Sequence, residues 1–468
     1  MPTPTRASRG ARAGVNDGEN QRRATSRRSS VRRRRSRDAR TRATSEKTAA
    51  RKIAIVGGGF AGTSVAYHAL ERAREAVAVT VIDRVGIAGG ASGVAAGLVH
   101  PYTARGRVVW RGVEGAAGAR RLMRVAASAS ETAADGGWRE RSDDCDGGWR
   151  EDVGRATGER RGEPVSREPG IVRPARTAKQ GMDFVRYRSE RDAADFASAC
   201  VTTEEAKYLA PGLEFTDDVI DAESRGEPPC AGGLFIPKGV VVDAPRYLAA
   251  LWDACELLAS RGPAGTRASL RVRSITDVTE LFDEFDEVVL CCGAGIAKLF
   301  DQSVIPVQLQ GGHVLELKPD DSLRVGVLGT TYVAPLGETR AMVGPTKEYD
   351  ATVDDFFDRA GVIQRDADAR ATRAERELRE LASRAYPPTS SWELLNLKYG
   401  VRANPPRTPE GALPLVGAVT LGDRRVWVAA GLGARGLVYH ALIGDWLSRA
   451  IMENDVSQIP IECRLDVR

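Results

Sequence analysis

Three groups of residues in this sequence have the types and spacing to do chemistry. The first is Gly57, Gly59 and Gly62, a G-x-G-x-x-G run set between the apolar stretch Lys52–Val56 and apolar positions Ala61, Val65, Ala69 and Leu70 at helical spacing. Gly57 permits a tight turn, Gly59 lets backbone N–H groups approach a pyrophosphate, and Gly62 lets a helix lie close on a strand. Phe60 and Ala61 open that helix, whose N-terminus presents the positive end of its dipole to phosphates. A second alternating stretch, Val77–Ile82, ends at Asp83, an acid placed to accept hydrogen bonds from an adenosine ribose. This unit implies a bound dinucleotide without choosing between nicotinamide and flavin.

The second group makes that choice. Arg84 follows the acid, and Gly89 to Gly97 is a run of small residues containing Gly90, Ser92, Gly93 and Ala96. A nicotinamide domain has no obvious task for so long a loop, whereas the narrow channel around an extended flavin dinucleotide would require one. The third group, Gly431 to Leu437, precedes an apolar helical stretch. Backbone N–H groups of Gly433, Ala434, Arg435, Gly436 and Leu437 can face the negative charge that develops around N1 of a reduced flavin, which favours hydride acceptance at N5. The Arg435 side chain has two readings: added positive charge at that point, or a salt bridge to a surface acid.

These residues resemble the D-amino-acid-oxidase family of FAD enzymes, in which the acid ending the second strand is followed by G-x-S-x-x-x-x-G, here Gly90 to Gly97. Phe285 to Gly295, with Cys292 and Gly293, is similar to the family's strand-plus-glycine segment beside the cofactor. Pro306 to Val314 resembles its strand entering the substrate domain. Gly431 to Leu437 resembles the loop carrying the flavin ring, and is similar to the flavin domain of the bacterial enzyme that matures wobble-uridine side chains on tRNA. Glycine and sarcosine oxidases are further analogues. The resemblance spans residues 51–115 and 165–468 and implies FAD as the cofactor.

Within the resemblance, Arg402 of Tyr399–Asn404 corresponds to the arginine that clamps the substrate carboxylate. A bidentate guanidinium–carboxylate pair fixes the α-carbon against the flavin. Ala403 stands where many relatives carry proline, and a structural salt bridge is the competing reading for Arg402. His100, Tyr332 and Tyr439 are the other catalytic candidates. His68 reads as structural, His313 and His440 adjoin cofactor-associated segments, and spacing marks none of the four as a base. The chemistry implied is hydride transfer from a small amino acid or secondary amine, imine hydrolysis, and reoxidation by dioxygen or another acceptor. Two alternatives stand beside it: a tRNA wobble-uridine modifying flavoenzyme, and a flavin-binding interaction protein without catalysis.

The elements that must position these groups read as α/β: a Rossmann-like FAD-binding domain, discontinuous in sequence, with a second β-rich α+β substrate domain. FAD-domain pieces are expected at 51–116, 241–304 and 399–468, and substrate-domain pieces at 165–240 and 305–398. Residues 117–164 read as a flexible low-complexity insert, in which Asp135–Glu140 (DGGWRE) returns as Asp146–Glu151. Residues 1–50 carry +11 of the whole-chain charge of +5, which leaves the body at −6. That balance argues against a general nucleic-acid footprint, so tRNA is not the favoured partner. The Arg- and Ser-rich, acid-poor leader reads as disordered and targeting, to the chloroplast, with the mitochondrion as alternative. No apolar run approaches the ~20 residues of a membrane span. The seven cysteines form no C-x-x-C pair, and with only four His no metal site is expected.

Overall fold

A computed structural model describes residues 49–134, 163–188, 196–320, 323–359, 361–362 and 369–465. Its first strand, Arg51–Val56, is apolar on both faces: Ile53 and Ile55 enter one hydrophobic cluster, Ala54 and Val56 another. A strand buried on both sides belongs in the interior of a parallel sheet. It sits between Val77–Asp83 and Glu287–Leu290, both parallel to it. Arg267–Val272 extends one edge in parallel, while Arg424–Ala430 and its antiparallel hairpin partner Leu415–Leu421 extend the other. The six strands come from three separated stretches of chain, giving the mixed α/β architecture.

Four helices cover one face of this sheet: Phe60–Glu71, Gly112–Ala134, Ala244–Arg261 and Gly436–Glu453. The second of them corrects the expected insert. Residues 117–134 continue a 23-residue helix whose Ala116, Ala119, Leu122, Met123, Ala126 and Ala129 are buried in the main core. The rest of the expected insert, 135–162, holds the DGGWRE repeat with Trp138 and Trp149, and lies outside the described residues, as does the leader through residue 48.

The second sheet has nine strands, and its spine is the antiparallel pair Gln308–Lys318 and Glu393–Asn404. Their register sets Gln310 opposite Arg402 and Gly312 opposite Gly400. Alternation then aims Gln310, Gly312, Gly400 and Arg402 at one face. Further strands Ala341–Gly344, Tyr332–Pro335, Gly326–Leu328 and Ile171–Pro174 follow in order. A buried charge network ties this sheet to the helical layer. Arg340 reaches Glu316 at 2.9 Å and Asp243, the residue preceding helix Ala244–Arg261, at 2.7 Å, while Lys398 reaches Glu316 at 3.0 Å. No described helix is long and apolar enough to cross a membrane, and no group of three His, Cys, Asp or Glu among the described residues could hold a metal ion.

Candidate active site

A cavity of about 530 Å³ opens at the carboxyl ends of the parallel strands and runs to the face of the large sheet. Open α/β sheets bind ligands in this place, where the strand order reverses. Gly57, Gly59, Phe60, Ala61, Asp83, Arg84, Gly90, Ser92, Ala96 and Gly97 line it, as do Cys292, Gly293 and Gly433 to Leu437. His100, Tyr332 and Arg402 line it as well. Gly62 and Gly93 do not reach the wall. A Cβ on Gly62 would lie 1.9 Å from the Gly57 carbonyl oxygen, and one on Gly93 would lie 2.1 Å from that of Ala88. Both glycines let backbone pack against backbone behind the loop.

Tyr439 is the placement that sequence reasoning missed. Its hydroxyl donates to the Trp110 carbonyl at 2.9 Å and its ring lies against the Trp110 ring, outside the cavity. Burial pushes this phenol up to about 12. Tyr439 follows the cofactor loop in sequence, but helical rotation turns it toward the core, so it braces the chain ahead of helix Gly112–Ala134.

The glycine-turn end of the cavity is organised by Asp83 and Ser92. Asp83 accepts from the Gly58 N–H at 2.8 Å with one oxygen, and from Val85 and Gly86 at 2.9 and 3.1 Å with the other. A carboxylate has about four lone-pair directions, so three are used in shaping the turn and one is left for a ribose hydroxyl. Ser92 Oγ accepts from the Phe60 N–H at 3.1 Å, joining the small-residue loop to the helix N-terminus. Neither helix Phe60–Glu71 nor helix Gly436–Glu453 is capped by the side chain of its own N-cap residue, so first-turn donors other than the Phe60 N–H are available to a ligand. The Arg84 guanidinium lies against the rings of both Phe356 and Phe357, and its Nε is buried without a partner among the described residues.

At the other end, Arg402 and Arg435 are guanidinium groups whose pKa values burial pulls below the ordinary arginine value. Among the described residues neither has an acidic partner. Burial holds the Tyr332 hydroxyl protonated, so its proton can donate. His100 Nδ1 accepts from the Tyr102 N–H at 3.2 Å. Burial, Arg173 and Arg435 keep that imidazole neutral, which leaves its proton on Nε2. His100 is thus a hydrogen-bond donor in the cavity, with no free base nitrogen.

A model of the family described as FAD dependent oxidoreductase (DAO) matches residues 52–450. The chain belongs to this family. Among solved structures, the oxidoreductase resembles glycine oxidase from Geobacillus kaustophilus, with TM-score 0.59 and 21% identity over 86% of this chain and 95% of that one. It also resembles iminodiacetate oxidase from Chelativorans sp. BNC1, with TM-score 0.57 and 20% identity over 88% and 97%. For L-proline dehydrogenase from P. horikoshii the values are 0.59 and 14% over 88% and 96%. At these identities the likeness establishes the shared fold. Comparison with curated proteins gave no sequence match.

The residues present fit FAD. The glycine turn, uncapped helix N-termini, the spare Asp83 lone pair and orphaned Arg84 Nε would hold the dinucleotide, and Gly433 to Leu437 would hold the ring. Sequence reasoning did not find Gln310, Phe356, Phe357 or Arg173. The first two signals were weak but present: an in-phase partner of Arg402, and adjacent aromatics in a charged segment.

Proposed function

We propose that this oxidoreductase oxidises the C–N bond of a small amino acid or secondary amine that carries a carboxylate. The observation that carries the reading is Arg402, a buried guanidinium with no described counter-ion, facing the same cavity as the cofactor cradle. A buried, unpaired cation is costly unless a ligand supplies the negative charge. The named activities of the structural neighbours support the reading, since glycine, iminodiacetate and L-proline each join a carboxylate to a carbon bearing nitrogen.

FAD held here would supply a two-electron hydride acceptor, with dioxygen or another acceptor as the terminal oxidant. The chain's own residues bind and orient. Arg402 grips the carboxylate, and Tyr332 and His100 Nε2 donate hydrogen bonds to the same space. Uncapped N–H groups at Gly436 and Leu437, with Arg435, provide positive potential where negative charge accumulates. The wall residues that the reading places beside Arg402, Tyr332 and His100, are donors, so the amine must arrive neutral, and water then hydrolyses the released imine. kcat/KM should therefore rise with pH through the pKa of the substrate amine.

The test is anaerobic mixing of the flavin-loaded protein with paired amines. Glycine, sarcosine or proline should bleach the flavin, while methylamine and pyrrolidine should be slower by at least about 100-fold, the worth of a charge-assisted bidentate contact. Equal rates with and without the carboxylate would overturn the reading.

A further inference from the structure

Helix Val353–Arg359 lies in the chain between Ala341–Gly344 and Gly361–Val362, two strands of the nine-stranded sheet. Its Phe356 and Phe357 nevertheless line the cavity together with Arg84, which follows the last strand residue, Asp83, on the parallel sheet. The start of the helix is fixed by a reciprocal pair. Asp355 accepts from the Thr352 N–H at 2.8 Å, and Thr352 Oγ1 accepts from the Asp355 N–H at 3.2 Å. A Cβ on Gly90 would stand 3.5 Å from the edge of the Phe356 ring, and one on Gly295 3.4 Å. That ring therefore rests against both the small-residue loop and the glycine segment after strand Glu287–Leu290.

Arg84 is the group that the helix holds. Its guanidinium carbon lies 5.6 Å from the centroid of the Phe356 ring and 5.5 Å from that of Phe357, and its Nη2 donates to the Phe356 carbonyl at 3.3 Å. Among the described residues no acid pairs with it. This choice of partners matters. A carboxylate would fix the guanidinium and cancel its charge, whereas aromatic faces and one carbonyl fix it and leave the charge in place. Its buried Nε–H keeps no partner of its own.

We propose that helix Val353–Arg359 is a clasp on the nucleotide end of the cofactor. Phe356 and Phe357 are positioning residues that hold Arg84 against the anionic dinucleotide, with its Nε–H left for that ligand. The substrate sheet thereby helps to retain FAD on the other sheet, far from the chemistry at Arg402.

The test is the rate of FAD release from the diluted, flavin-loaded protein, followed by free-flavin fluorescence with no amine present. With Phe356→Leu and Phe357→Leu together, release should be roughly 10- to 100-fold faster, the worth of two partly desolvated cation–π contacts. Phe356→Tyr with Phe357→Tyr should keep release slow, since a phenol ring offers the cation the same face. Arg84→Met should also release FAD quickly. Adding the leucine pair to it should change the rate by less than about 2-fold, because the rings act through Arg84. An unchanged rate in the leucine pair would overturn the proposal. So would the full acceleration persisting in the Arg84→Met background, which would mean that the rings act by packing alone. Where the leucine pair shows no cooperative urea transition, the single substitutions Phe356→Leu and Phe357→Leu carry the same comparison. No amine takes part, so the outcome is independent of whether Arg402 binds a carboxylate.

Discussion

Arg402 and His440 show how single residues in this protein are set for opposite purposes. Arg402 is left without a described counter-charge, and its planar fork suits a carboxylate in a way that a point charge does not. Arg402→Lys should therefore keep the cation and still lose about 10- to 100-fold in kcat/KM for a small amino acid; an unchanged value would show that the fork geometry is idle. His440 is fully engaged: its Nδ1–H donates to the Leu437 carbonyl at 3.0 Å and Nε2 accepts from the Tyr247 hydroxyl at 2.7 Å. Burial holds it down to about 4, below the 6.5 of a free imidazole. The unfolded chain therefore binds the extra proton first as pH falls. This contribution to stability is fully present above pH 6.5 and is lost toward pH 4, by about 1.4 kcal/mol per unit. Urea unfolding measured from pH 7 to 5 should show that slope, and it should flatten in His440→Gln; a flat profile in the unaltered protein contradicts the assignment. The residues around Gly57, Asp83 and Gly97 were legible in the sequence because their types and spacing are constrained by backbone contact. Arg173 was not, because one arginine in an apolar strand carries no pattern until its neighbours on other strands are known.

At the scale of elements, helix Gly112–Ala134 explains where the composition misled. Its buried side is made of alanines with Leu122 and Met123, so the apolar stripe is thin and the surrounding arginines and glycines imitate a surface excursion. Small residues are there because the helix lies close to its neighbour: a Cβ on Gly115 would stand 2.4 Å from the Val438 carbonyl oxygen. Gly115→Val should push the helix away from Gly436–Glu453, whose first residues line the cavity. The expected cost is about 1 to 3 kcal/mol, with a lower flavin-to-protein absorbance ratio after purification. Unaltered stability and flavin content would show that the close crossing is unnecessary. By contrast, the strand Arg51–Val56 and the helix after it were plain from pattern alone, since a continuous apolar run followed by glycines has few other uses.

For the whole molecule, three separated stretches of nucleotide-binding sequence already implied a discontinuous domain, because each carries glycines that must meet at one cofactor. The order of strands in the large sheet was not legible, since it depends on long-range pairing that no local pattern records. Nor was the Arg340 network, which links Asp243 of the helical layer to Glu316 of that sheet. Arg340→Met should leave both acids buried with less compensation and cost about 3 to 5 kcal/mol, read as a shift in the urea midpoint. An unshifted midpoint would mean that Lys398 and water suffice. The central claim spans both sheets: an amino acid held by Arg402 on one is oxidised at a cofactor cradled by the other. Anaerobic titration of the flavin-loaded protein with glycine, sarcosine, proline and iminodiacetate, in the unaltered chain and in Arg402→Ala, tests it most directly. The account predicts bleaching of the flavin in the unaltered chain, and in Arg402→Ala a bound but oxidised flavin with reduction slowed by at least about 100-fold. Equal bleaching in both proteins, or none in either, would contradict it.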